Sequence, residues 1–192
     1  MKLFPETFTE FWSRFGKMFH KEYEHLTNNY EENDIIVPDL DESEKAVKRF
    51  YNQFFGVYTR MDFPIVIYRV LNLQDKGVTN LEKLTRSDPE LFKDVMGFGI
   101  CWSLNSLYAK WFANDNSPGS FLFEAEVQNN QIDWMHTLFM SVLIAALYSH
   151  SKDEFTDAEP EVKLNHGTTI KLIRATSLHD GESIDLDITV RV

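Results

Sequence analysis

Residues 159–192, EPEVKLNHGTTIKLIRATSLHDGESIDLDITVRV, hold three strand-length runs separated by two turn signals, Asn165-His166-Gly167 and His179-Asp180-Gly181. Glycine after a short polar residue is the chemistry of tight hairpins, so the pattern predicts three strands joined by two hairpin turns. The last run alternates, with Ile184, Leu186, Ile188, Val190 and Val192 on one side. The first opens with two acids at i, i+2, Glu159 and Glu161, separated by Pro160. Side chains alternate across a strand, so Glu159, Glu161 and Lys163 share one face and Val162 and Leu164 take the other. Proline cannot donate to a ladder, which favours a sheet edge or the rim of a cleft for this strand.

Working upstream, Phe121 to Val127 alternates as a half-buried strand, after a turn-forming loop at Asn114 to Gly119. Phe98 to Leu104 predicts another strand, followed by a helix through Ala113 that Asn105 caps. Ile65 to Val70 is a short β-branched run of the kind that forms a buried strand. Between these, Asn80 to Leu84 and Asp88 to Met96 predict short helices, and Asp133 caps a helix carrying the apolar stretch Leu138 to Tyr148. That stretch is about half of the ~20 residues a spanning helix needs, so a buried helix and no membrane partner are expected.

Residues 1–60 differ from the rest. Phe8, Phe11, Trp12, Phe15, Met18, Phe19 and Tyr23 recur at three and four, the mark of an amphipathic helix, and a second helix is expected from Asp41 to about Val57. The plan is therefore α+β: an N-terminal helical layer over 1–60, packed on a core domain over 61–192.

Composition bounds the function. A net charge of −11 would repel phosphate backbones and anionic lipid, and no basic patch overrides it, so nucleic acid is not an expected partner. Cys101 is the only cysteine, which excludes an intrachain disulfide and a cysteine-built metal site and fits a reducing compartment, the cytoplasm. The six histidines form no H-x-x-x-H pair, so no metal is expected. The first residues lack a continuous apolar core with a small-residue cleavage site, so no signal peptide is expected.

Three features could carry chemistry. Like charges as close as Glu159 and Glu161 raise the pKa of one acid unless cations or donors compensate, which is common in active sites. A solvated strand face gives the same spacing, as Glu124 and Glu126 illustrate. Arg69, ending the apolar run Phe63 to Tyr68, must reach water or find anionic partners, and either a structural salt bridge or a bound anion would satisfy it. Cys101 and Ser103 share a face by alternation, and nothing beside Cys101 in sequence would make it a nucleophile.

Taken in order, Ile67-Tyr68-Arg69, then Gly99-Ile100-Cys101-Trp102-Ser103 with Ala109-Lys110-Trp111-Phe112-Ala113, then Glu159-Pro160-Glu161-Val162, resemble the R-S-E class of mono-ADP-ribosyltransferases over about residues 63–175. The resemblance implies a core of two packed, mainly antiparallel sheets around an NAD cleft, with NAD as substrate. It implies that Arg69 pairs with the NAD phosphates or shapes the nicotinamide ribose pocket, with Tyr68 and Trp102 beside it. Ser103 would hold the site together and orient the catalytic acid, Glu161, which stabilises the oxocarbenium-like charge as nicotinamide leaves. Glu159 would hold and deprotonate an acceptor arginine of a partner protein, and Phe155 in the loop Ser149 to Asp157 would contact that target. The family's second motif opens with serine, whereas Cys101 stands here; a thiol is a weak donor, so another residue orients Glu161 or turnover is reduced.

These features imply an intracellular effector, of the kind a phage or bacterium uses on host proteins, that transfers ADP-ribose to arginine. Two alternatives stand beside it: an NAD glycohydrolase with water as acceptor, and a non-catalytic interaction protein that retains the fold and docks through its N-terminal helices.

Overall fold

Alternating apolar side chains make Pro64–Asn72 (β1) and Ser120–Gln128 (β3) long strands, and in a computed structural model of the protein they pair antiparallel along their whole length, from Pro64 opposite Gln128 to Asn72 opposite Ser120. The structure describes residues 40–56, 63–73, 98–110, 113, 119–140 and 161–192. The helices expected at 8–26, 80–84 and 88–96 lie outside the described residues.

The fold is α+β, built on one six-stranded antiparallel sheet of order β4-β2-β1-β3-β5-β6, with β2 at Cys101–Ser103, β4 at Glu161–Lys163, β5 at Thr169–Ser177 and β6 at Ser183–Arg191. Four strands of nine residues, β1, β3, β5 and β6, form a broad ladder. The three-residue strands β2 and β4 form a short ribbon beside it, joined to β1 by one registered pair, Tyr68 opposite Ser103.

Residues directly opposite in an antiparallel ladder point to the same face, so the register defines the core. Ile65 faces Val127, Ile67 faces Ala125, Ala125 faces Leu172 and Ile170 faces Val190, all buried. The other face of β3, β5 and β6 is charged. Glu124 lies opposite Arg174 and Glu126 opposite Lys171, and those cations pair with Asp185 at 3.1 Å and Asp187 at 2.9 Å. The acid pair Glu124 and Glu126 is thus balanced across the ladder.

In β5 the run Leu172-Ile173 places two apolar residues in succession, which a regular strand could not bury together. The registers slip there: Ala125 faces Leu172 but Glu124 faces Arg174, leaving Ile173 unpaired with β3. This bulge resets the alternation, so Ile170, Leu172, Ala175 and Ser177 are all buried.

The turn at 165–168 is present, with Gly167 at φ +77° and Thr168 N–H donating to the Asn165 carbonyl at 3.1 Å. It is not a hairpin, contrary to the sequence expectation. β5 pairs with β3 and β6, while β4 pairs with β2 and, through the Ile132–Leu164 bridge and an Asp133 N–H bond to the Lys163 carbonyl at 2.8 Å, with the segment after β3. The turn therefore leads from one edge of the sheet to a strand beyond β3. The second turn is a hairpin between β5 and β6, with Gly181 at φ +78°. β4 lies at the sheet edge, where Pro160 suggested it would.

The chain divides into two compact units. Asp62–Asp133 with Glu161–Val192 hold the whole sheet; Met1–Met61 with Trp134–Pro160 form the other. In the latter, α1 (Leu40–Phe50) runs into a π turn at Tyr51–Phe55 and buries Ala46, Val47 and Phe50 on one face, and residues 134–140 are helical. No helix among the described residues is long and apolar enough to cross a membrane.

Phe123 is fully buried on a central strand, its ring edge-on to Phe98 at 5.1 Å. Phe123→Ala should lower the unfolding free energy by about 3–5 kcal/mol. Asp187→Ala, which removes an exposed ion pair, should change it by less than about 1 kcal/mol, both read from urea midpoints.

Candidate functional site

The register sets Tyr68, Ser103 and Glu161 side by side across β1, β2 and β4, each opposite the next. Adjacent strands lie about 4.8 Å apart, so residues from three distant segments stand within ~10 Å of one another. Directly opposite residues share a face, and Cys101, opposite Lys163, belongs to that face as well. Glu161 is exposed at the start of the edge strand, Ser103 is buried, and Tyr68, Cys101 and Lys163 are half-buried.

Arg69 alternates to the other face, yet its guanidinium reaches β2, donating from Nη1 to the Cys101 carbonyl. The space it needs is left by Gly99. A Cβ built on Gly99 would lie 3.5 Å from Arg69 Nη2 and 3.6 Å from Nη1, and the residue sits at φ +61°, where side chains are strained. Trp102 fixes this loop: its indole N–H donates to the Gly99 carbonyl at 3.1 Å, and its ring stacks on Phe98 at 6.0 Å and 16°. Trp102 is only 2% exposed, a core residue rather than one displayed to a ligand. Arg69 Nε is buried without a hydrogen-bond partner. Burial lowers the pKa of this guanidinium, opposed by the Cys101 and Glu161 side chains.

The two polar residues of β2 have separate tasks. Ser103 Oγ donates to the Asn105 carbonyl at 2.9 Å and accepts from the Asn105 N–H at 3.0 Å, closing a tight turn. Asn105 Oδ1 then accepts from the N–H groups of Leu107 and Tyr108, capping α2 (Ser106–Lys110) as its sequence position suggested. The Ser103 hydroxyl is thereby committed to local structure. The Cys101 thiol hydrogen-bonds the Glu161 carboxylate instead. Burial, with this bond and the Glu161 charge, pushes the thiol up to about 11, against the pull of Arg69 and Lys163.

Lys163 holds the far end of β4 through its 3.7 Å pair with Asp133. Of the residues singled out from sequence, the structure brings together Tyr68, Arg69, Ser103 and Glu161 around β2 and sets Trp102 in the core beneath. Glu159 and Phe155 lie outside the described residues. Gly99 and the Cys101 thiol are the parts that sequence reading left out: alternation gives each residue's face but not which residue of another strand it meets. Among the described residues no three His, Cys, Asp or Glu side chains cluster closely enough to hold a metal.

Two outcomes follow. Gly99→Ala should cost about 1–2 kcal/mol of stability through its left-handed backbone alone, read as a lowered urea midpoint at unchanged slope. The folded chain retains a Cys101 proton that an unfolded thiol loses near 9.0, so its contribution to stability is whole below that pH and is lost as pH rises to about 11. Iodoacetamide should accordingly alkylate native Cys101 slowly at neutral pH, with the rate climbing only toward about 11. A search of protein-family models, curated proteins and solved structures finds no match to this chain.

Proposed function

We propose that the chain is an NAD-dependent mono-ADP-ribosyltransferase that modifies arginine on a partner protein, with Glu161 as the essential acid. The observation that carries this reading is the convergence of Arg69, Ser103 and Glu161, separated by 34 and 58 positions in the chain, onto the adjacent strands β1, β2 and β4. A plain solvated acid pair would have no reason to sit beside a half-buried arginine with an unpartnered Nε, whereas an anionic ligand would answer that nitrogen. On this reading the short β2 and β4 ribbon belongs to the second of two sheets that flank the NAD cleft.

The chemistry asked of the protein is electrostatic. NAD supplies a ribose whose C1′–nitrogen bond to nicotinamide breaks, the bonding electrons leaving with neutral nicotinamide. Glu161, exposed at the start of β4, stabilises the positive charge that develops on the ribose and hydrogen-bonds its hydroxyls. Arg69 holds the phosphates, and Tyr68 lies beside it on β1. Glu159 steers the acceptor guanidinium and takes the proton lost when its nitrogen bonds C1′. Phe155 contacts the acceptor protein. Ser103 keeps β2 and α2 in place rather than touching the acid.

Incubation with labelled NAD and a bacterial lysate should transfer label to protein, and Glu161→Gln should reduce transfer by about 10²-fold or more. Equal labelling by Glu161→Gln, or no labelling by the unaltered chain, would sink this function. Nicotinamide release without protein label would assign the chain to NAD hydrolysis instead.

A further inference from the structure

We infer that Arg69 and Cys101 act as positioning residues for Glu161, in a relay that runs from the Arg69 guanidinium to the Cys101 carbonyl on β2 and from the Cys101 thiol to the Glu161 carboxylate on β4. This rests on the reading of Glu161 as the essential acid and deepens it.

Four observations converge on the relay. Glu161 is exposed and stands on an edge strand only three residues long, so its own strand gives it little restraint. The serine directly opposite it has its hydroxyl engaged with Asn105 as both donor and acceptor. The remaining donor on that face of β2 is Cys101, two residues along, within diagonal reach of Glu161. Arg69 meanwhile pins the β2 backbone at the same residue, and Gly99 leaves its guanidinium the space to do so. The hydroxyl that this position lacks is thus replaced in kind: a neutral thiol, kept protonated at physiological pH, donates to the carboxylate.

The relay involves no covalent or redox step. Cys101 keeps its proton throughout and lends only direction to Glu161. The charged groups around the thiol are Glu161, which disfavours the thiolate, and Arg69 and Lys163, which favour it.

The test follows the thiol itself, without NAD. In the full-length chain the pH profile of iodoacetamide alkylation at Cys101 should centre near about 11. Glu161→Gln should shift it to lower pH, because the acceptor and its charge are gone. Arg69→Gln should shift it higher, and Arg69→Lys, which keeps the charge, should shift it less and guards against misfolding of the glutamine variant. A Glu161→Gln profile superimposable on that of the unaltered chain would overturn the relay.

Kinetics give the second arm. Cys101→Ala should lower kcat for transfer about tenfold with KM nearly unchanged, and Cys101→Ser should restore it, since a hydroxyl is the better donor. Full kcat in Cys101→Ala would overturn the positioning role even if the thiol profile moved as expected. Absence of any transfer by the unaltered chain would remove the function proposed above, while the alkylation profiles would still decide whether thiol and carboxylate are in contact.

Discussion

A guanidinium taken out of water must be met by oxygen, and at the junction of β1 and β2 that demand arranges everything around Arg69. The five residues Gly99 to Ser103 are its answer. Gly99 yields the volume and the left-handed turn, Cys101 offers its carbonyl, Trp102 buries its ring and ties the loop back to Gly99, and Ser103 turns the chain into α2. Each residue serves a different requirement, so no single substitution there is conservative. Because β2 meets β1 through one registered pair, the arginine's bond to Cys101 is a substantial part of what fixes the ribbon to the ladder.

The sheet divides the labour of stability and chemistry between its parts. The broad ladder of β1, β3, β5 and β6 carries the apolar face, with Phe123, Ile67, Ile170 and Leu172 all fully buried. The ribbon of β2 and β4 adds two large anchors, Trp102 and Val162, on one side and presents Cys101, Ser103, Glu161 and Lys163 on the other. A strand of three residues is enough for this, because alternation gives one buried residue flanked by two outward ones. Changes to the outward residues leave the apolar ladder untouched.

Much of this was legible in the order of residues. The long strands and the final hairpin follow from apolar alternation and from a glycine at a left-handed turn, which are local properties of the chain. The destination of a strand is not local. Asn165-His166-Gly167 marks where the chain turns, but whether the next strand pairs beside β4 or three strands away depends on which edge is open, and β2 and the segment at Ile132 already flank β4. The bulge at Ile173 escaped the alternation rule for a similar reason, since only the registers on both sides of β5 expose the extra residue. At the site, alternation placed Cys101 and Ser103 on one face, yet it could not say that the serine is absorbed by Asn105 while the thiol meets Glu161. That division depends on side-chain hydrogen bonds between segments about sixty residues apart.

The alternating acids of β6 bear on how the molecule behaves in company. Asp185 and Asp187 project from the outermost strand of the ladder with 83% and 86% of their side chains exposed. A free strand edge is a template onto which another copy could add, building outward without limit. Two such edges brought together would align carboxylates against carboxylates, on a chain that already carries −11. Crowded copies of this protein are thereby steered away from fibrous self-assembly by the same strand that completes the fold.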